Sequence, residues 1–218
     1  MEFTKNLVLI VSISSLLFLH SATALIIPLL QNRVKKLCNG VTDPALCVKS
    51  ILPNVRLDRK GNVNSYRAVE VEIIAAKTQA VKTANLINTL LASPASNKQL
   101  KESLSICKEQ YGMMLDAINE AIPIIKKRDH VEARFKFSAV FSYKGSCEQA
   151  FETGPPQPAS LIKEQAALKN LAGNVLDILK VIDDKDFAMR LKKGLIPNFS
   201  TVSSPPNKCQ NVIGSCTL

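Results

Sequence analysis

Three carboxylates, Glu102, Glu109 and Asp116, recur every seven residues and are the side chains most open to chemistry. Paired carboxylates do acid–base work when one gives a proton while the other takes one. Seven residues of helix are two turns, about 10 Å, so successive members stand too far apart to share a small substrate. Their line reads as a solvated outer face. His130 is the one histidine after the first 24 residues. It opens a predicted helix and reads as a first-turn surface residue. No Gly-x-Ser-x-Gly elbow accompanies it, so a Ser-His-acid triad has no nucleophile. Neither a phosphate loop nor Gly-x-Gly-x-x-Gly is present. Apart from His130, zinc ligation falls to cysteines, which an oxidising compartment removes as thiolates. These residues describe a protein that is not an enzyme and needs no metal or cofactor.

The acidic line belongs to the stretch that organises the chain, 97–126. Its apolar positions are Leu100, Leu104, Cys107, Tyr111, Met114, Ile118, Ala121 and Ile125. Steps of four and three define the buried stripe of an amphipathic helix, and exclude a strand. One segment thus carries a packing face, a cysteine tether and a charged surface.

The 218 residues suit one domain with a sizeable core. Lys5, the run Leu7 to Leu19 and the small residues Ala22-Thr23-Ala24 predict a secretory signal, residues 1–24, cut after Ala24. A retained signal-anchor is the alternative. Secretion makes disulfides the first reading of six cysteines. Fifteen pairings are open. Spacing suggests Cys38–Cys47 as a clasp and Cys209–Cys216 as a tail loop, which leaves Cys107 for Cys147. The net charge of +10 favours solubility and weak electrostatic contact with acidic polysaccharide. No dense basic cluster interleaves with aromatics, so nucleic acid is not expected as a partner. No later segment is apolar all round, so neither is a membrane.

Along the chain, 25–52 reads as a helical hairpin. Leu29, Leu30, Val34 and Leu37 share one side, Asn39-Gly40 stops the first arm, and Thr42-Asp43-Pro44 starts the second. Pro53 ends it. A loop around Gly61 leads to a helix over 65–91 whose seam is Tyr66, Val69, Ile73, Ala76, Ala80, Thr83, Ile87 and Leu90. Ser93-Pro94 breaks it, and Ser96 or Asn97 caps the next helix. Pro123 predicts a kink or an early end there. Asp129 caps a third helix. The alternation of Phe135, Phe137, Phe141 and Tyr143 competes as a strand, yet a lone strand among helices has no partner. Helix is therefore preferred, with Phe137, Val140, Lys144, Cys147 and Phe151 inward and an interruption at Gly145. Gly154-Pro155-Pro156-Gln157-Pro158 is a linker. The fourth helix follows Leu161, Gln165, Leu168, Ala172, Val175, Leu179 and Ile182. Short connections make the four neighbours antiparallel, an all-α up-down-up-down bundle over 65–182. A C-terminal extension, 183–218, includes a short helix at 186–195 and a tail with the sequon Asn198-Phe199-Ser200.

Several pieces resemble the plant invertase and pectin methylesterase inhibitor family. The segment from Cys38 to Cys47 has its eight-residue gap with Thr42 and Pro44 inside, the threonine slightly late. Cys107-Lys108-Glu109-Gln110-Tyr111 resembles Cys-x-Glu-x-Tyr, with Asp116 following and Met113 where an acidic residue is common. Ser138-Ala139 with Cys147-x-x-x-Phe151, and Leu168-x-x-Leu171-x-x-Asn174-x-Leu176, resemble its later helices. The match covers about 25–182 and omits Cys209 and Cys216.

The resemblance implies a four-helix bundle with an N-terminal helical hairpin and pairs Cys38–Cys47 and Cys107–Cys147. It implies a secreted, cell-wall protein that docks on pectin methylesterase and blocks its active-site cleft. A cell-wall or vacuolar invertase is the alternative target. Invertase-directed members often carry Pro-Lys-Phe at the start of the third bundle helix, where this chain reads Asp129-His130-Val131-Glu132. Expected contact residues are Thr78, Lys82 and Asn85 on the first long helix and Glu102, Glu109 and Asp116 on the second. A secreted bundle that binds a small ligand or receptor without inhibiting anything is the remaining reading.

Overall fold

The computed structural model describes residues 27–195. The predicted signal 1–24, the sequon at Asn198 and the cysteines Cys209 and Cys216 lie outside them. Residues 27–37 form helix α1. Then come α2 (Pro44–Ile51), a 3₁₀ turn (Leu52–Asn54), α3 (Ser65–Ala92), α4 (Lys98–Lys126), α5 (His130–Gln149) and α6 (Ala159–Lys192). Among the described residues the only extended pairing is an isolated bridge between Leu57 and Val63.

Capping explains where the helices start. Asp43, Asn64, Asn97 and Asp129 each stand before a first turn and accept backbone N–H groups there. Each such cap contributes about 1 kcal/mol. The turn from α4 to α5 places Arg128 at φ 63°, a left-handed conformation that a side chain tolerates only with support. Its guanidinium lies 5.7 Å from the centre of the Tyr66 ring.

The apolar seams pack inward as a four-helix bundle. Leu104, Cys107, Tyr111, Met114 and Ile118 of α4 are fully buried, as are Val69, Ile73, Ala76, Ala80 and Ile87 of α3. Neighbours run in opposite directions. Ser103 bonds the Ala150 carbonyl, Cys107 is bridged to Cys147, and Glu120 pairs with Lys136. On the other side of α3, Gln79 and Lys82 reach Glu164 of α6. The circuit closes where Gln165 of α6 donates to the Cys147 sulfur.

The α1–α2 hairpin is clasped by Cys38–Cys47, with Gly40 at φ 85° between its arms. It lands on α3 and α6. Asn174 accepts the Asp43 amide at 2.7 Å and returns an N–H to the Asp43 carbonyl at 3.1 Å. The Thr42 amide and hydroxyl both donate to Asp177 at 2.7 Å. Gly173 lies under Thr42, where an added Cβ would sit 2.4 Å from the threonine oxygen and 2.7 Å from its Cβ.

The chain divides after Asp183 into two compact units. In the second, Arg190 pairs with Asp186, and Gly194 at φ 65° lets Leu195 cap the Arg190 carbonyl.

Five details differ from the sequence reading. Pro123 does not end α4, which continues to Lys126. Both Pro123 and Asn119 are exposed, so the carbonyl deprived of its partner faces water. Gly145 does not interrupt α5, which runs to Gln149. Residues 186–192 are the end of α6 rather than a separate helix. Leu29, expected on the packed side of α1, is exposed. His130 is buried, with its ring between the Tyr66 hydroxyl at 3.3 Å and Asp183 at 3.4 Å. Proximity of α3 and α6 to the start of α5, invisible in local spacing, covers it.

Two stability tests follow from this packing. Gly173→Ala should lower stability by about 1–3 kcal/mol through overpacking and raise hydrogen exchange at Thr42 and Asp43. Replacing Cys107 and Cys147 with Ala should cost about 2–5 kcal/mol in thermal or urea unfolding. Unchanged unfolding midpoints would contradict these contacts.

Candidate functional site

The expected contact residues are all on the surface, but they do not form one patch. Thr78 is exposed and its hydroxyl is turned back to the Ile74 carbonyl at 2.9 Å. It lines a groove of about 410 Å³ beside the hairpin, with Lys49, Ser50, Asn54, Arg67 and Ile74. Lys82 is held against Glu164 of α6 at 2.8 Å. Hydrogen bonds from Lys82 and Gln79 keep the Glu164 carboxyl below its ordinary pKa. Asn85 is exposed, its carbonyl capped by the Thr89 hydroxyl. Thr78 thus looks toward the hairpin and Lys82 toward α6.

The α4 candidates look elsewhere. Glu102, Glu109 and Asp116 are exposed along one line, and none is in an ion pair among the described residues. Asp116 enters a second groove, about 520 Å³, between α4 and α5. Met113 and Glu120 join it from α4; Phe135, Lys136 and Tyr143 come from α5. Lys136 and Glu120 pair across the groove at 2.9 Å, and the hydrogen bond raises the lysine pKa. Phe135 is 70% exposed and Met113 41%, so apolar surface lies beside free carboxylate.

The inward seam of α5 dictates this arrangement. Phe137, Val140, Lys144 and Cys147 are buried. Two residues before Phe137 is about 200° around a helix, which turns Phe135 outward. Reading the sequence for candidates overlooked Phe135 and Met113. A signal was available for Phe135, because a helical reading of the alternating aromatics leaves it off the buried seam.

The centre of the described bundle is occupied by side chains. Tyr111 and Phe137 fill it, and burial raises the pKa of the Tyr111 hydroxyl against the smaller, opposing effects of Gln165 and Thr83. Among the described residues, no group of three or more His, Cys, Asp or Glu is arranged to hold a metal ion. None of the described helices is long and apolar enough to cross a membrane.

Comparison with known proteins places this architecture. A crystal structure of a pectin methylesterase inhibitor from Arabidopsis thaliana is similar, with a TM-score of 0.51 and 16% identity over 68% of this chain and 95% of that one. A crystal structure of mutant form A of a pectin methylesterase inhibitor from Arabidopsis has a TM-score of 0.56, at the same 16% identity and the same coverage. At that identity the likeness concerns the fold. A search of curated proteins finds no match. The model of the family described as plant invertase/pectin methylesterase inhibitor matches residues 32–178. With about two thirds of its length matched and the fold shared, the chain belongs to the plant invertase/pectin methylesterase inhibitor family, whose members act as inhibitors rather than as enzymes.

Proposed function

We propose that this protein is a secreted inhibitor of pectin methylesterase that works in the cell wall by covering the enzyme's active-site cleft. The observation that carries this reading is the α4/α5 surface. Its exposed Phe135 and Met113 adjoin Asp116, with Glu109 and Glu102 continuing along α4. An aromatic anchor beside unpaired carboxylates is the composition of an interface hot spot facing a basic partner. A groove that holds polyanionic pectin is basic by the same logic. The absence of Pro-Lys-Phe at 129–132 favours this target over invertase. Lys82 is the least useful of the α3 candidates, since Glu164 already occupies its charge. Thr78 and Asn85 play at most a rim role.

Parallel titration of the full, oxidised chain against purified pectin methylesterase and acid invertase tests the target. Pectin methylesterase activity should fall to a stoichiometric endpoint while invertase is unaffected; the reverse result would reassign the target. Two variants test the surface. Glu109→Lys combined with Asp116→Lys should weaken inhibition at least about tenfold, and Phe135→Ala by about 10–100-fold. Lys82→Ala should leave the inhibition constant within about twofold. Equal inhibition by the wild type and the two α4/α5 variants would reject this face.

A further inference from the structure

Glu72 lies on the buried side of α3, fully inaccessible to solvent. No cation is paired with it. One carboxyl oxygen, Oε1, accepts from Asn174 Nδ2 of α6 at 2.9 Å. The other, Oε2, contacts the Ser50 hydroxyl of α2. That hydroxyl has one proton to give, and it also stands 3.0 Å from both the Leu46 and Cys47 carbonyls. Asn174 spends its remaining groups on Asp43, as described above. An ionised Glu72 would therefore sit in a dry site with two neutral neighbours and no counter-ion, an arrangement that strongly disfavours the charge.

The hydrogen bonds close fully in the neutral form. Protonated Oε2–H donates to Ser50 Oγ, the Ser50 hydroxyl donates to a backbone carbonyl of its own helix, and Oε1 still accepts from Asn174. We propose that Glu72 is a proton-loaded latch: as a carboxylic acid it ties the α1–α2 hairpin to α3 and α6, and ionisation releases the hairpin.

The charges facing it point the same way. From the hairpin comes Asp43, whose negative charge opposes ionisation. From α6 the direct neighbour is the neutral Asn174, and Asp177 is bound to Thr42. Lys49 of α2 and Arg67 of α3 line the groove that Ser50 borders, and both are exposed; Arg67 is paired with Glu70. Burial is the largest influence on Glu72 and raises its pKa above 4.5, against the smaller effects of Ser50 and Asn174. The sign follows. A carboxyl whose folded pKa is raised contributes its stabilisation in full below the ordinary glutamate pKa, and loses it as pH rises through the folded value. The hairpin is latched in acid and freed toward neutrality.

The test uses the full chain with its disulfides intact. Carboxyl-labelled glutamate followed by NMR reports Glu72 directly in the wild type. Its resonance should titrate above the range of the exposed glutamates. Hydrogen exchange at the Thr42 and Asp43 amides, corrected for intrinsic rates, reports docking. Protection should fall by up to about tenfold per pH unit between the ordinary glutamate range and the Glu72 midpoint and level off above it, while amides in the α4 core stay protected. Glu72→Gln keeps the neutral geometry and should show the same acid protection with no fall at higher pH. Asp43 and Asp177 are present in both proteins, so their titration is common to the two. A Glu72 midpoint in the ordinary glutamate range would overturn the latch. So would wild-type protection independent of pH, or loss of acid protection in Glu72→Gln.

Discussion

The junction where Asn174 meets Asp43 and Glu72 is the constraint on which this structure depends. A small helical hairpin cannot bury its own apolar face, and here it is set on the bundle by polar groups rather than by apolar area alone. Asn174 is fully buried and uses both ends of its amide across three elements. An amide so enclosed tolerates no slippage, because any shift would strand a desolvated donor or acceptor. Gly173 and Thr42 add a steric condition at the same spot, since only a residue without Cβ fits beneath the threonine. Register between hairpin and bundle is thereby specified twice, once by hydrogen bonds and once by shape.

The bundle proper rests on different physics. Its four seams are apolar, and its internal order is set by chain connectivity and by the Cys107–Cys147 bridge between α4 and α5. Polar residues inside it are few and mostly satisfied: Thr83 returns its hydroxyl to the Gln79 carbonyl, and Gln165 bonds both Gln157 and the Cys147 sulfur. Tyr111 brings a further hydroxyl into this dry interior, beside Gln165 and Thr83. The ring earns its place by filling volume at the centre of α4.

Periodicity was enough to read α3, α4 and α6, because hydrophobic spacing reports which side of a helix is dry. The same signal decided α5 against a strand, once the absence of a pairing partner was weighed. It could not disclose Glu72, His130 or the placement of Lys82. Those depend on partners 22 to 102 residues away in the chain, as with Ser50 and Asn174 around Glu72. A buried polar residue looks like a surface one until its partner is brought beside it. Asn174 stood in the stretch that resembles the inhibitor family, yet nothing local showed that it joins three elements. The contact candidates fared similarly. Exposure was legible from their position off the seams, whereas their division between the hairpin side and the α5 side depends on which helices become neighbours.

The bridge between α4 and α5 also has a consequence for the groove that contains Asp116 and Phe135. Every residue lining it falls between positions 113 and 143, inside the covalent ring closed by Cys107 and Cys147. At the far end of that ring the two helices are joined by a turn of only three residues, 127–129. The walls are held at both ends and have little freedom to splay. This surface is preorganised, and contact there requires little further surrender of conformational entropy.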